Sequence, residues 1–199
     1  MNKAVLISIR PKWCELIVSG KKLIEVRKTV PKLESPFRCF IYETKGKGNT
    51  TNKGEDGHAV FRGRGLVIGE FMCDRVFQYA TAHDKVTADI SDEDMELLSC
   101  LDHETLVQYE NRTPTRKVSS YGLFGWHISA LNIYDKPREL REFYRPSHDG
   151  VHRKREHYDF NEASCRPEHD NQKWRIRRPP QSWCYVEDSR SGQFGSDIE

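Results

Sequence analysis

The chain lacks long apolar runs, a strong net charge and any closely paired cysteines. None of its apolar stretches is long enough to span a bilayer, so the sequence does not predict a membrane protein. The formal net charge is only +2, so a surface for nucleic acid would require local clustering of basic residues. The six cysteines are dispersed without a C-x-x-C pair, and no signal peptide precedes the first predicted strand. We therefore expect free thiols and a cytoplasmic location.

The length of 199 residues is typical of one domain and is enough to bury a core without disulfides or metals. We expect a single domain over residues 1–187 and a disordered tail over residues 188–199. Two polar segments interrupt this domain. Residues 45–65 are rich in glycine and predict a flexible loop, which we expect to close over a ligand. Residues 145–180 form a basic, histidine-rich insertion.

Short runs rich in apolar and β-branched residues predict a series of strands. These runs cover residues 4–9, 23–26, 39–44, 66–79, 123–134 and 182–186. Pro11 is suited to begin a helix and Gly20 to end it, while Ser91 is a typical N-cap before an acidic first turn. Residues 102–109 predict another helix, and residues 137–144 a helical turn. The pattern predicts an α+β protein built on a small mixed β-barrel with two or three peripheral helices and long loops.

A G-x-K-x-x-E-x-R run follows the first predicted helix, with Gly20, Lys22, Glu25 and Arg27 at its defined positions. This run resembles the signature of the ASCH domain family. Further segments are similar to bacterial and phage-type members of that family, namely residues 69–71, 121–128 and 178–187. The resemblance therefore extends over most of the chain. It implies a PUA-like β-barrel with a cleft at the signature, and binding of RNA or a nucleotide-like ligand.

The chemistry of the signature follows from its spacing. Glu25 and Arg27 are two residues apart in a predicted strand, so their side chains share one face. Lys21 and Lys22 precede them at the helix-to-strand turn. We expect Lys22 and Arg27 to bind phosphate, while Glu25 orients Arg27 or accepts a hydrogen bond from the ligand. The alternative is a plain Glu–Arg salt bridge on a solvated face.

Three residues outside the signature are weaker candidates for the same ligand site. Lys12 and Arg178 would add positive charge, and Trp174, which stands among charged residues, would stack on a base. The remaining tryptophans are expected in the core; they are Trp13, Trp126 and Trp183. Glu70 either faces the cleft or pairs with an arginine in a buried strand.

A hydrolase is the main alternative function. One branch of ASCH-like proteins deacetylates acetylcytidine with a lysine, a threonine and a glutamate. The lysine matches Lys22, but Glu25 fills the threonine position, and a carboxylate cannot replace a hydroxyl nucleophile in the same step. A ribonuclease stays open, with Lys22 stabilising charge and Glu25 or a histidine acting as base.

A zinc site is a third alternative, since several potential ligands lie close together in the basic insertion. They are His148, His152, His157, Cys165 and His169. Their spacing matches no standard zinc pattern, so we expect no metal and no other cofactor. The expected partner is RNA or a nucleotide-like ligand, with no membrane involved, and the chain is expected to be monomeric.

Overall fold

The computed structural model describes residues 3–46, 63–81, 88–112, 122–146 and 175–188. The strands within these ranges are β1 (Lys3–Ile9), β2 (Ile24–Arg27), β3 (Phe37–Glu43), β4 (Val67–Cys73), β5 (Val76–Tyr79), β6 (Leu123–His127), β7 (Ser129–Arg138) and β8 (Trp183–Glu187). The helices are α1 (Pro11–Val18), α2 (Asp92–Ser99) and α3 (His103–Asn111), with a 3₁₀ turn at Leu140–Glu142. None of the described helices has the length and apolar character needed to cross a membrane.

The strands form two separate sheets. The larger sheet has the order β7-β4-β3-β1-β8, and the smaller has the order β2-β6-β5. In the larger sheet β1 and β3 are parallel, whereas the other neighbouring pairs are antiparallel. The predicted α+β class is therefore confirmed. The predicted barrel is not found, because the described strands close into no single ring.

Several local predictions are confirmed by the helix ends. Pro11 is the first residue of α1, and Gly20 follows that helix with a φ of +70°. The side chain of Ser91 accepts a hydrogen bond from the backbone N–H of Asp94, which caps α2. Asp102 caps α3 in the same way. These positions were predictable because each depends on the chemistry of a few neighbouring residues.

Two predicted strands are divided where the chain crosses between sheets. The predicted strand over residues 66–79 breaks into β4 and β5, and the one over residues 123–134 breaks into β6 and β7. In each case the two halves belong to different sheets. Strand-forming residues lie on both sides of each crossing, so the pattern alone does not reveal a change of sheet. The predicted irregularity at Gly69 is confirmed, since the β4–β7 register shifts between Val67 and Gly69.

The two crossings are joined to each other by a hydrogen-bonded pair. Nδ1 of His127 lies 2.7 Å from Oδ1 of Asp74, and the backbone N–H of His127 donates to the carbonyl of Arg75. Burial raises the pKa of the Asp74 carboxyl, but the hydrogen bond and the charge of His127 outweigh it and leave that pKa lowered. The ionised carboxylate therefore stabilises the folded state.

We expect Asp74→Asn to lower the free energy of unfolding at pH 5 by less than about 1 kcal/mol, because both side chains are partly exposed. The folded pKa lies below the unfolded value, so this contribution is present above the unfolded pKa of 3.8 and is lost as the pH falls through the folded one. Urea unfolding at several pH values should show the two proteins converging as the pH falls below 3.8. A constant difference, or convergence equally seen with the exposed Asp135→Asn, would contradict this account.

The core divides into three apolar clusters, and two of them position the smaller sheet. One cluster lies between the two sheets and contains Trp126, Phe37 and residues of α1. Another packs the opposite face of the smaller sheet against α2 and α3 through Met95 and Leu106. The strand β2 is thereby held between the larger sheet and the helical pair. This arrangement places α3 beside the signature, although 75 or more residues separate them in sequence.

Candidate functional site

A cavity of about 420 Å³ opens beside β2. Its described walls come from the turn between β1 and α1, from β2, from α3 and from the residues before β8. Side chains of Arg10, Trp13, Glu25, Arg27 and Tyr109 face it together. The volume falls within the range of about 300–1,000 Å³ that is usual for small-molecule sites.

Glu25 and Arg27 point to the same side of β2, as their spacing predicts. Nη2 of Arg27 lies 2.8 Å from Oε1 of Glu25, and each side chain is only 9% exposed. The residues between and beside them, Ile24 and Val26, face the opposite cluster against α2 and α3. The two charged groups therefore form an ion pair, but it is buried rather than solvated.

Arg27 also ties β2 to the larger sheet. Its Nη2 donates to the carbonyl of Ser8 at 2.7 Å, and its Nη1 donates to Oγ of Ser182 at 3.1 Å. The Nε of Arg27 is buried and has no hydrogen-bond partner among the described residues. The guanidinium is thus held by Glu25 of β2, by Ser8 of β1 and by Ser182 just before β8. One of its donors nevertheless has no partner among the described residues, which is unusual for a buried polar group.

Lys22 lies beneath the same carboxylate and is 2% exposed. Its Nζ donates to the carbonyl of Ser99 at 2.6 Å, lies 3.5 Å from Oε2 of Glu25, and is 5.2 Å from the ring centroid of Trp13. Burial lowers the pKa of the Lys22 ammonium, and the nearby Glu25 charge opposes that effect. The last turn of α2 supplies the carbonyl, so the partial negative charge of a helix end also stabilises the ammonium.

Three other predicted ligand residues are not brought into this cluster. Lys21, Lys12 and Arg178 are exposed and are not among the described residues that line the cavity. Nζ of Lys12 instead lies 4.8 Å from the ring centroid of Trp13. Trp174 lies outside the described residues, so its predicted stacking role stays a prediction.

The remaining sequence-based hypotheses have mixed outcomes. Glu70 pairs with Arg38 at 2.9 Å within the larger sheet, which is the structural alternative named for it. The proposed zinc ligands, and residues 47–62 of the predicted closing loop, lie outside the described ranges. Within those ranges no group of three or more potential ligands could hold a metal ion.

The tryptophans expected in the core differ in their burial. Trp13 is only partly buried and faces the cavity, whereas Trp126 is fully buried in the core as predicted.

The contribution of α3 to the cavity was not predicted from the sequence. Thr105, Gln108, Tyr109 and Arg112 line the cavity from this helix and its C-terminal end. Burial raises the pKa of the Tyr109 hydroxyl, and the charges of Arg27, Glu25 and Arg10 also act on it. The spacing of these α3 residues at three and four is typical of one helix face, but nothing in the sequence indicates that this face meets β2.

Comparison with solved structures gives similarity to an ASCH protein. A crystal structure of ASCH from Zymomonas mobilis is 17% identical with a TM-score of 0.49, and the match covers 92% of this chain and 87% of that one. A tyrosine-to-phenylalanine mutant gives 18% identity and a TM-score of 0.39, covering 70% and 77% of the two chains. A serine-to-alanine mutant gives 16% and 0.42, covering 92% and 88%.

All three are ASCH structures. This is the family that the signature around Lys22, Glu25 and Arg27 resembles. No protein-family model and no curated protein matches the chain. At these identities and TM-scores the likeness assigns no role to any residue.

Proposed function

We propose that the cavity beside β2 binds RNA or a nucleotide-like ligand. The observation that carries this proposal is the combination of groups in one cavity: two aromatic side chains, two exposed arginines and a buried ion pair at the floor. The rings belong to Trp13 and Tyr109, and the arginines are Arg10 and Arg112. Aromatic rings stack on bases and arginines bind phosphates, so these groups match the two chemical parts of a nucleotide.

The uncharged polar side chains of the cavity suit the edges of a base. Thr44, Gln108 and Gln181 line the cavity, and amides and hydroxyls can both donate and accept hydrogen bonds. Bases present donors and acceptors on their edges, which such groups can recognise. A site with these side chains beside aromatic rings therefore favours a base over a purely apolar ligand.

The signature residues Lys22, Glu25 and Arg27 form the buried floor of this cavity. Glu25 contacts both Arg27 and Lys22, and both cations have further protein partners. Direct phosphate contacts by Lys22 or Arg27 would require exchange of those buried bonds. Their expected role in holding phosphate remains a prediction, whereas a role in fixing the shape of the floor is consistent with the contacts they make.

Removal of either aromatic ring should weaken binding. We expect Trp13→Ala and Tyr109→Ala each to raise the Kd for labelled single-stranded RNA by about tenfold, because one stacked base is worth about 1–3 kcal/mol. Fluorescence polarisation at low salt measures this effect, with a hairpin RNA in parallel. Phe77→Ala is the matched control, since this ring is also partly buried but does not line the cavity.

The outcomes separate clearly. RNA binding by the wild type and by Phe77→Ala, weakened in both other variants, supports the proposal. Absence of RNA and nucleotide binding by the folded wild-type protein refutes it. Equal binding by all four proteins places the RNA elsewhere on the surface and also refutes the assignment of this cavity.

A hydrolase acting on RNA or a modified nucleoside is the second candidate function. The environment of the Lys22 amine is the observation that favours it. A buried amine with a lowered pKa beside a carboxylate is typical of catalytic sites, although structural ion pairs produce such shifts too. The RNA from the binding assay can be run on a denaturing gel. Cleavage by wild type and not by Lys22→Met supports the hydrolase, whereas intact RNA throughout contradicts ribonuclease activity on these substrates.

A further inference from the structure

The charges around the cavity differ between its floor and its rim. At the floor, Oε1 of Glu25 contacts Arg27 and Oε2 contacts Lys22, so the carboxylate is already used by two cations. At the rim, Arg10 and Arg112 are exposed, and neither guanidinium has a hydrogen-bond or ion-pair partner within the described part of the chain. The uncompensated positive charge of the cavity is therefore concentrated at its rim.

Both rim arginines line the same cavity as Tyr109. Burial raises the pKa of the Tyr109 hydroxyl, and the charge of Arg10 opposes that rise. Arg112 is the C-cap residue of α3, three residues after Tyr109, a spacing that places the two on the same side of the helix. Arg10 and Arg112 therefore line one cavity together with Tyr109, from the residue before α1 and from the C-terminal end of α3.

The start of α1 adds to the positive potential near Arg10. Arg10 occupies the N-cap position, makes no side-chain cap bond, and is followed by a first turn without an acidic residue. The N-terminal end of a helix favours an anion. The positive potential at this helix end therefore adds to the positive charge of Arg10, and both favour an anion at the rim.

From this arrangement we infer that the ligand is a nucleoside phosphate whose terminal phosphate monoester is bound by Arg10 and Arg112, with its base towards Trp13 and the floor. The inference rests on the proposed function and specifies its ligand. A phosphate monoester carries about −1.5 to −2 charges at pH 7, which two free guanidiniums can match. A phosphodiester within a strand carries only one charge and matches the pair less well.

Two sources can supply a terminal phosphate, a free mononucleotide or the phosphorylated end of an RNA strand. The probes are therefore the four nucleoside 5′-monophosphates, the matching nucleosides, the methyl esters of the monophosphates, and one RNA oligonucleotide with and without a 5′-phosphate. Binding to the full-length protein is measured by isothermal titration calorimetry. The variants are Arg10→Gln and Arg112→Gln, with the exposed Arg141→Gln as control.

We expect at least one monophosphate, or the phosphorylated oligonucleotide, to have a Kd at least about tenfold lower than its form without the phosphate. The reason is that hydrogen bonds between charged groups are stronger than those between neutral groups. The methyl ester should fall between the monophosphate and the nucleoside. Arg10→Gln and Arg112→Gln should each remove most of the gain from the phosphate without changing nucleoside binding, and Arg141→Gln should change neither. Thermal unfolding verifies that the variants remain folded.

Three outcomes would overturn the inference, and each has a different meaning. If nucleosides, monophosphates and both oligonucleotides bind equally well, the terminal phosphate is not recognised, while the proposed function survives. If the rim variants bind the phosphate forms like the wild type, the phosphate lies elsewhere. If none of the probes binds, both the inference and the proposed function fail.

Discussion

Replacing Glu25 with glutamine is expected to lower the free energy of unfolding by about 3–5 kcal/mol, the usual cost of leaving a buried charge without its partner. Glutamine keeps the shape of the side chain but removes the negative charge. The Arg27 guanidinium at 2.8 Å and the Lys22 ammonium at 3.5 Å would then stay buried with no carboxylate between them. Urea unfolding of the two proteins at pH 7 measures the difference.

Two comparisons show whether the charge itself causes the loss. Glu104→Gln changes an exposed glutamate of α3 and should alter the free energy of unfolding by no more than about 0.5 kcal/mol. Adding Lys22→Met to Glu25→Gln removes one of the two uncompensated cations, so part of the lost stability should return. If the Glu25→Gln protein is as stable as the wild type, the Glu25 carboxylate does not stabilise the buried charges of Arg27 and Lys22, and this account of the floor is wrong.

The sequence was sufficient to predict the local geometry of the signature. Glu25 and Arg27 share a face because strands alternate with a period of two, and this prediction needs no tertiary information. Gly20 follows α1 with a positive φ because only glycine adopts it at little cost. Pro11 and Ser91 mark helix starts for equally local reasons. Each of these features depends on neighbours within one turn or one strand.

The environment of Lys22 was not predictable in this way. Its place in a turn beside the charged Lys21 favoured an exposed amine, and Lys21 is indeed exposed. The structure instead buries Lys22 under a carbonyl of Ser99, 77 residues later in the chain. That contact depends on how α2 packs against β2, which neither helix propensity nor strand periodicity specifies. The same packing brings Tyr109 and Arg112 to the cavity.

These long-range contacts give the signature a structural meaning in this protein. Lys22 joins the floor to α2, and Arg27 joins it to β1 and the residue before β8. Glu25 lies between them and contacts both. The three residues therefore connect β2 to β1, to the end of α2 and to the residue before β8. A change at one of them is expected to affect the shape of the whole site.

The support beneath this floor comes from Trp126. In the antiparallel pairing of β2 with β6, Trp126 is directly opposite Glu25, so the two side chains occupy the same face of the smaller sheet. The indole is fully buried and packs against Phe37, with 5.7 Å between ring centroids, and against Trp183, with 5.9 Å. It therefore joins the signature strand to the core between the sheets.

We expect Trp126→Ala to lower the free energy of unfolding by about 3–5 kcal/mol, since it removes a large buried ring and leaves a cavity. Trp126→Phe should lose much less, because the indole N–H has no hydrogen-bond partner among the described residues and phenylalanine preserves a ring. Urea unfolding ranks the three proteins. If both variants lose the same stability, a phenyl ring does not replace the indole and the second expectation is wrong. The proposed binding of RNA gives a second measurement. If Trp126→Phe binds RNA like the wild type while Trp126→Ala, still folded, binds it more weakly, the ring beneath Glu25 holds the floor of the cavity in its binding geometry.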